Sequence, residues 1–200
     1  MKKLLLIVWA LSLNILFAET KTIVFLGDSL TEGYGLEREE AFPNIVQTLI
    51  ETKLNKKMKV INAGVSGSTS SDGLARLKWY LKREPSVIFI ALGANDGLRG
   101  LDLKESQKNL ESIISIALAS QAKVLLAGML IPPNYGQAYS ENFKNMYLKL
   151  ADKYSLKLMP FLLDGVAGEK ALNQSDGIHP NKEGQQRIAN NVFEFIKSEL

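Results

Sequence analysis

Four short apolar runs, each halted by a glycine and each followed by a segment of helical spacing, set the tightest limit on what this chain can fold into. Thr22 to Leu26 is β-branched and aromatic and stops at Gly27. Met58 to Ala63 stops at Gly64, Val87 to Leu92 at Gly93, and Ala122 to Ala127 at Gly128. Runs of this length bounded by a breaker read as buried strands. Between them, Phe42 to Leu54 places Phe42, Ile45, Val46, Leu49 and Ile50 on one helical stripe. Leu74, Leu77, Trp79 and Leu81 belong to a helix that ends before Pro85. Leu103 to Ala119 is a long amphipathic helix, and Phe143 to Tyr154 is a further one. Leu156 to Met159 reads as a short fifth strand. Pro180 to Leu200 reads as the closing helix, with Pro180 in its first turn. Strands alternating with helices predict a parallel sheet covered on both faces. In such sheets ligands bind beyond the carboxyl ends of the strands, so the loops opening at Gly27, Gly64, Gly93 and Gly128 are where chemistry is expected.

Composition narrows that chemistry. There is no cysteine, which excludes disulfides, thiolate metal sites and a cysteine nucleophile. One histidine, His179, excludes a histidine-rich metal cluster. The net charge is +3, from 24 basic and 21 acidic side chains, too even to offer nucleic acid a basic face. The start of the chain differs from the rest: Met1-Lys2-Lys3 is basic, Leu4 to Phe17 is almost wholly apolar, and Ala18 precedes polar Glu19-Thr20-Lys21. That order predicts a signal peptide over 1–18, cut after Ala18, and a periplasmic or secreted product in which 19–200 form one domain. An uncleaved anchor is the alternative. The apolar run is shorter than the roughly 20 residues that span a bilayer, while Leu16, three residues before the cut, is larger than that position prefers.

Three of the post-strand loops, and one segment before the last helix, hold residues able to act together. Gly27-Asp28-Ser29-Leu30 puts a serine directly after the first strand, either as a helix cap or as a nucleophile. It is not a G-x-S-x-G elbow, because Thr31 stands where that motif has glycine. A serine hydroxyl needs a base, and the base needs a partner for its other ring nitrogen. Asp176-Gly177-Ile178-His179 supplies both within four residues. Asn95, in Gly93-Ala94-Asn95-Asp96, is placed to donate its amide to an oxyanion, and Gly64, after Asn62-Ala63, to donate its backbone N–H. Both loops also read as plain turns. Asp28 and Asp96 pair with each other, with backbone donors, or with water. Ser66, Ser68, Ser70 and Ser71 read as turn and capping residues. Tyr135, Tyr139, Phe143 and Tyr147 line an acyl pocket or belong to the core, and Pro132-Pro133-Asn134-Tyr135-Gly136 forms a rigid turn over the same edge.

Taken in order, Gly27-Asp28-Ser29-Leu30, Gly64, Gly93-Ala94-Asn95-Asp96 and Asp176-Gly177-Ile178-His179 resemble the four blocks of the GDSL, or SGNH, hydrolase superfamily. Leu92 to Gly100, Ile131 to Gly136 and Asp176 to Asn181 are similar to the bacterial arylesterase, acyl-CoA thioesterase and lysophospholipase group. The resemblance runs from about Thr22 to the C-terminus. It implies a three-layer α/β/α sandwich with a five-stranded parallel sheet, flavodoxin-like in arrangement. It implies a triad of Ser29, Asp176 and His179, an oxyanion hole from Ser29, Gly64 and Asn95, and no metal or organic cofactor. Glu32, Pro133 and Tyr135 are the expected substrate contacts. The implied substrates are small esters, thioesters or lysophospholipids, handled by a monomer with transient membrane-lipid contact. A carbohydrate or peptidoglycan O-acetylesterase is the alternative within enzymes, and an exported binding protein the alternative outside them. Two positions depart from the pattern: Glu32 where a small residue is usual, and Ser68 where an acidic one is. Glu32 is thereby expected to put charge at the pocket mouth.

Overall fold

Five strands pair in parallel in the order β2-β1-β3-β4-β5: β1 (Thr22–Gly27), β2 (Lys59–Gly64), β3 (Val87–Ala91), β4 (Lys123–Ala127) and β5 (Lys157–Met159). The source is a computed structural model, which describes residues 21–200 apart from the side chain of Pro133. The leader expected over 1–18 lies outside the described residues. Every residue of β1 and β3, two of the three inner strands, is buried, which is why their sequences run apolar without alternation. The strand order is the flavodoxin-like one, whose ligand crevice opens where β1 and β3 send their chains to opposite faces.

Seven α-helices follow in chain order among the described residues: α1 (Ser29–Glu32), α2 (Phe42–Leu54), α3 (Ser70–Leu81), α4 (Ala94–Leu98), α5 (Leu103–Ala119), α6 (Gln137–Tyr154) and α7 (Lys182–Ile196). On one face α2 packs against α7. Phe25 of β1 meets Phe42 of α2 edge-on at 5.5 Å between ring centres, and Phe89 of β3 meets Phe195 of α7 at 6.3 Å. On the other face α5 packs between α3 and α6. There Gly73 of α3 leaves room for Leu92 and Ile113, whose methyl groups lie where a Cβ would sit. No helix among the described residues is long and apolar enough to cross a membrane.

Two helix starts differ from expectation. Pro180 does not open α7. It bridges to Asn173 in a short antiparallel contact, and the helix starts two residues later behind Asn181, whose side chain accepts from the Gly184 N–H at 3.0 Å. An Asn cap of this kind is worth about 1 kcal/mol and supplies the helix start that proline was expected to give. Helix α6 begins at Gln137, six residues before Phe143; the stretch Gln137 to Asn142 is mostly polar and gives the apolar spacing little to mark. Trp79 lies on α3 as expected but on its outer face, 60% exposed. Buried Gln185 of α7 accepts from the Phe42 N–H at 2.8 Å and donates to the Leu30 carbonyl at 3.1 Å, tying α7 to both α2 and α1. An amide satisfied at both ends can occupy a core position without a desolvation penalty left standing.

Candidate active site

The first strand delivers a serine into the crevice and then stops. Asp28 accepts from the Leu30 N–H at 3.0 Å and so caps α1, with Ser29 as the first helical residue. Asp28 is 1% exposed, and its other oxygen has no partner among the described residues. Burial pushes its carboxyl up to about 6, against the opposing pull of the Leu30 N–H and the more distant positive charges. Ser29 is itself buried, with its Oγ 3.0 Å from His179 Nε2.

The histidine arrives from the segment before α7, 150 residues along the chain. Asn173, Gln174 and Asn181 lash this segment down: Asn173 donates to the Val166 and Glu169 carbonyls, Gln174 to the Tyr34 and Pro180 carbonyls, and Asn181 to the Ala171 carbonyl. Asp176 closes an Asx turn, one oxygen accepting from the Ile178 and His179 N–H groups at 3.0 Å each. Its second oxygen lies 2.7 Å from His179 Nδ1. The His179 backbone and ring donors, followed by the Ile178 N–H, hold the Asp176 carboxyl down at about 2. An ionised carboxylate only accepts, so Nδ1 must carry the proton and Nε2 is left as the acceptor facing Ser29. Tyr34 packs its ring against the imidazole at 4.6 Å between centres.

Of the expected oxyanion donors, Ser29 and Asn95 are brought together and Gly64 is not. The Gly64 N–H is taken by the Asn62 side chain at 3.0 Å. A Cβ at Gly64 would fall 2.2 Å from the Glu32 backbone nitrogen, so glycine is there to let β2 pass close to α1. It borders a separate hollow with Glu32 and Arg38. The glycine beside Ser29 and Asn95 is Gly67. Val65–Ser68 is a β-turn closed by Ser68 N–H to Val65 C=O at 3.1 Å, with Gly67 at its third position at φ +77°. Positive φ there defines a type II turn and calls for glycine. The N–H groups of Ser29 and Gly67 make no hydrogen bond among the described residues. Asn95, in α4, donates one amide hydrogen to the Ser68 carbonyl at 3.0 Å and has a second to offer. The Ser-Gly pair in Val65-Ser66-Gly67-Ser68 was the available signal for this turn.

Residues around the triad stiffen this arrangement, and of these Ser106 and Arg76 carry no sequence signal. Asp28 and Asp96 do not pair with each other. Asp96, 2% exposed, accepts from the Ser70 N–H at 2.8 Å, from Ser70 Oγ at 2.5 Å and from Ser106 Oγ at 2.9 Å, which locks α4 to α3 and α5. Ser70 therefore does more than cap. Arg76 reaches from α3 beneath the site, donating to the Gly27 carbonyl at 2.7 Å and to Ser68 Oγ at 2.8 Å.

A cavity of about 420 Å³ opens from Ser29 and His179, and much of its wall is apolar: Leu98, Met129, Ile131, Phe161, Leu163 and Ile178. None of the expected aromatic residues forms that wall. Phe143 and Tyr147 are core residues, with the Tyr147 hydroxyl donating to the Leu92 carbonyl at 2.9 Å. Tyr139 donates to the Leu101 carbonyl at 2.8 Å. Tyr135 donates its hydroxyl to the Leu98 carbonyl at 2.9 Å and stands outside the cavity. The backbone of Pro133 enters a 3-10 turn, Pro133–Tyr135, while its side chain lies outside the described residues; Pro132 lines the cavity. Glu32 is exposed and also stands outside, with its carboxylate turned onto Ser66.

Known proteins resemble this chain along most of its length. The family model described as GDSL-like lipase/acylhydrolase matches residues 25–187. Esterase TesA of Pseudomonas aeruginosa is 40% identical over 181 residues, covering 90% of each chain. The Escherichia coli protein named thioesterase 1/protease 1/lysophospholipase L1 is 39% identical over 173 residues, 86% of this chain and 81% of that one. Among solved structures, the psychrotrophic esterase EstA from Pseudoalteromonas sp., inhibited by monoethylphosphonate, superposes with a TM-score of 0.85 at 37% identity, covering 90% of this chain and 98% of that one.

Proposed function

Since the chain belongs to the GDSL-like lipase/acylhydrolase family, we propose that it hydrolyses esters and thioesters through an acyl-enzyme on Ser29, with His179 as base and Asp176 as its orienting partner. The chain is an esterase, an enzyme and not a binding module, and its substrates are small-molecule esters. The observation that carries the triad is the unbroken line of two hydrogen bonds from Ser29 Oγ through the imidazole to a carboxylate held ionised by three donors.

The steps follow from those contacts. His179 Nε2 takes the hydroxyl proton as Ser29 Oγ attacks the acyl carbon. The N–H groups of Ser29 and Gly67 and the free amide hydrogen of Asn95 receive the oxyanion, each donor worth about 3–4 kcal/mol. The imidazolium, steadied by Asp176, returns the proton to the departing alcohol or thiol. Water then repeats the sequence on the acyl-enzyme, and Ser29 recovers its proton. The apolar wall favours a hydrocarbon acyl chain over a sugar-borne acetate. We assign the product to the periplasm or the exterior on the pattern of residues 1–18, and expect it to act as a monomer touching lipid surfaces only in passing.

Ser29→Ala should fold, lose hydrolysis of p-nitrophenyl butyrate and lose labelling by a fluorophosphonate. Activity surviving in this variant refutes the nucleophile. A chain-length series of p-nitrophenyl esters should favour chains longer than acetyl; a preference for acetyl alone would return the O-acetylesterase reading.

A further inference from the structure

The carboxylate of Glu32, at the far end of the helix that Ser29 opens, has a purpose the reaction leaves open. It accepts from the Ser66 N–H at 2.7 Å and from the Ser66 hydroxyl. Ser66 is the second residue of the turn whose third residue is Gly67. Glu32 is also the last residue of α1, the single helical turn that starts at Ser29. Nucleophile and clamp are thus opposite ends of one rigid four-residue unit, and the turn carrying an oxyanion donor is fastened to its far end.

A type II turn differs from a type I turn mainly by rotation of its central peptide. In Val65–Ser68 that peptide joins Ser66 to Gly67 and bears the Gly67 N–H. Rotating it would swing the N–H out of the site and bring the Ser66 carbonyl in, where it would repel an oxyanion. Bonds on the two flanking peptides oppose this rotation. Glu32 holds the Ser66 N–H on one side, and Arg99 holds the Gly67 carbonyl at 2.9 Å on the other. Glu32 is the only partner that the Ser66 N–H and hydroxyl have among the described residues.

We infer that Glu32 is a positioning residue for ester hydrolysis, holding the 65–68 turn in the form that presents the Gly67 N–H to the oxyanion. This rests on the proposed role of Gly67. The carboxylate acts through its reach and not through its charge. That yields opposite outcomes for two conservative changes. Glu32→Asp keeps the charge but is one methylene short of Ser66; Glu32→Gln loses the charge but keeps an oxygen that can accept from the Ser66 N–H.

Steady-state hydrolysis of p-nitrophenyl butyrate reads the effect. In Glu32→Asp and Glu32→Ala, kcat should fall about tenfold with KM unchanged, less than the roughly 10²–10³ expected for outright loss of a donor. Glu32→Gln should stay within about threefold of the parent, because its acceptor still reaches the Ser66 N–H. Proline suits the second position of a type II turn, and what Ser66 gives up to it is the N–H and the hydroxyl, whose partner is Glu32. Ser66→Pro added to Glu32→Ala should therefore restore kcat. An unchanged kcat in both Asp and Ala variants, a change confined to KM, or a Gln variant as impaired as Ala each overturns the clamp. If Glu32→Ala does not fold, the Asp and Gln pair carries the same comparison. Gly67→Ala, strained at φ +77°, separates the two levels. If it lowers kcat while the Glu32 variants do not, the clamp fails and the hole stands. If neither lowers kcat, Gly67 is not a donor and both readings fall.

Discussion

Replacing Asp28 by asparagine should make the protein more stable at neutral pH while leaving it nearly unchanged in acid. The side chain is almost wholly buried, one oxygen caps Leu30 and the other is unpartnered among the described residues. Its carboxyl lies at about 6 in the folded state against 3.8 as the ordinary value. The folded protein therefore holds a proton between those values that the unfolded chain has released. Stability attributable to this group is full below 3.8 and falls as pH rises through about 6. The difference corresponds to about 3 kcal/mol, of which about 2.4 kcal/mol is expected between about pH 4 and pH 8. Asparagine keeps the cap through its amide oxygen and resembles the protonated acid in leaving one donor unpaired, so the two proteins should nearly coincide at about pH 4. Urea unfolding of both at about pH 4, 6 and 8, with equal m-values, measures the difference directly. A constant offset from side-chain geometry cancels when pH values are compared. If the stability difference at pH 8 matches that at pH 4 within about 0.5 kcal/mol, burial does not penalise the carboxylate and the reasoning is wrong. The same negative charge attracts the His179 imidazolium formed during turnover, so kcat should fall in the variant that gains stability.

Asn95→Ala should reduce kcat by about 10²–10³ with little change in KM, since one oxyanion donor is lost and no apolar wall is touched; a KM effect alone would place Asn95 with the substrate. Asp176→Asn should lower kcat by roughly 10³–10⁴ by releasing the imidazole from the tautomer that faces Ser29. In thermal unfolding, the stability advantage of the parent over Asp176→Asn should be present above pH 3.8 and vanish as pH falls through about 2, because the folded Asp176 carboxyl is depressed. An advantage that persists below about pH 2 would mean that the carboxylate charge is not its source.

The sheet was legible because its signals are local and redundant. Val87 to Leu92 needs to be buried on both faces, and a continuous apolar run stopped by glycine records that need. Ser29, Asp176 and His179 were legible for a chemical reason: one histidine leaves one base, and a carboxylate three residues earlier can fold back onto it. Gly64 and Gly67 could not be separated in this way. Both lie at the carboxyl end of the same apolar run, and only the Asn62 amide oxygen, which accepts from the Gly64 N–H, shows which glycine is free. The cavity wall was hidden because Met129, Ile131, Phe161 and Leu163 sit in irregular segments, where no period marks a shared face. Tyr135 misled for a related reason: composition suggested an aromatic lining, whereas its hydroxyl sought the nearest open carbonyl at the end of α4. Arg76 and Gln185 carry no motif, and their worth lies in backbone groups that become neighbours only after folding.

The sole histidine of the chain touches both Ser29 and Asp176. A proton NMR spectrum of the whole enzyme should therefore contain one set of imidazole carbon-bound resonances, already assigned by arithmetic. Ionisation of the base, its response to a trapped acyl group and any loosening of its partners can be followed at a single peak, in the unmodified protein and without isotopic editing.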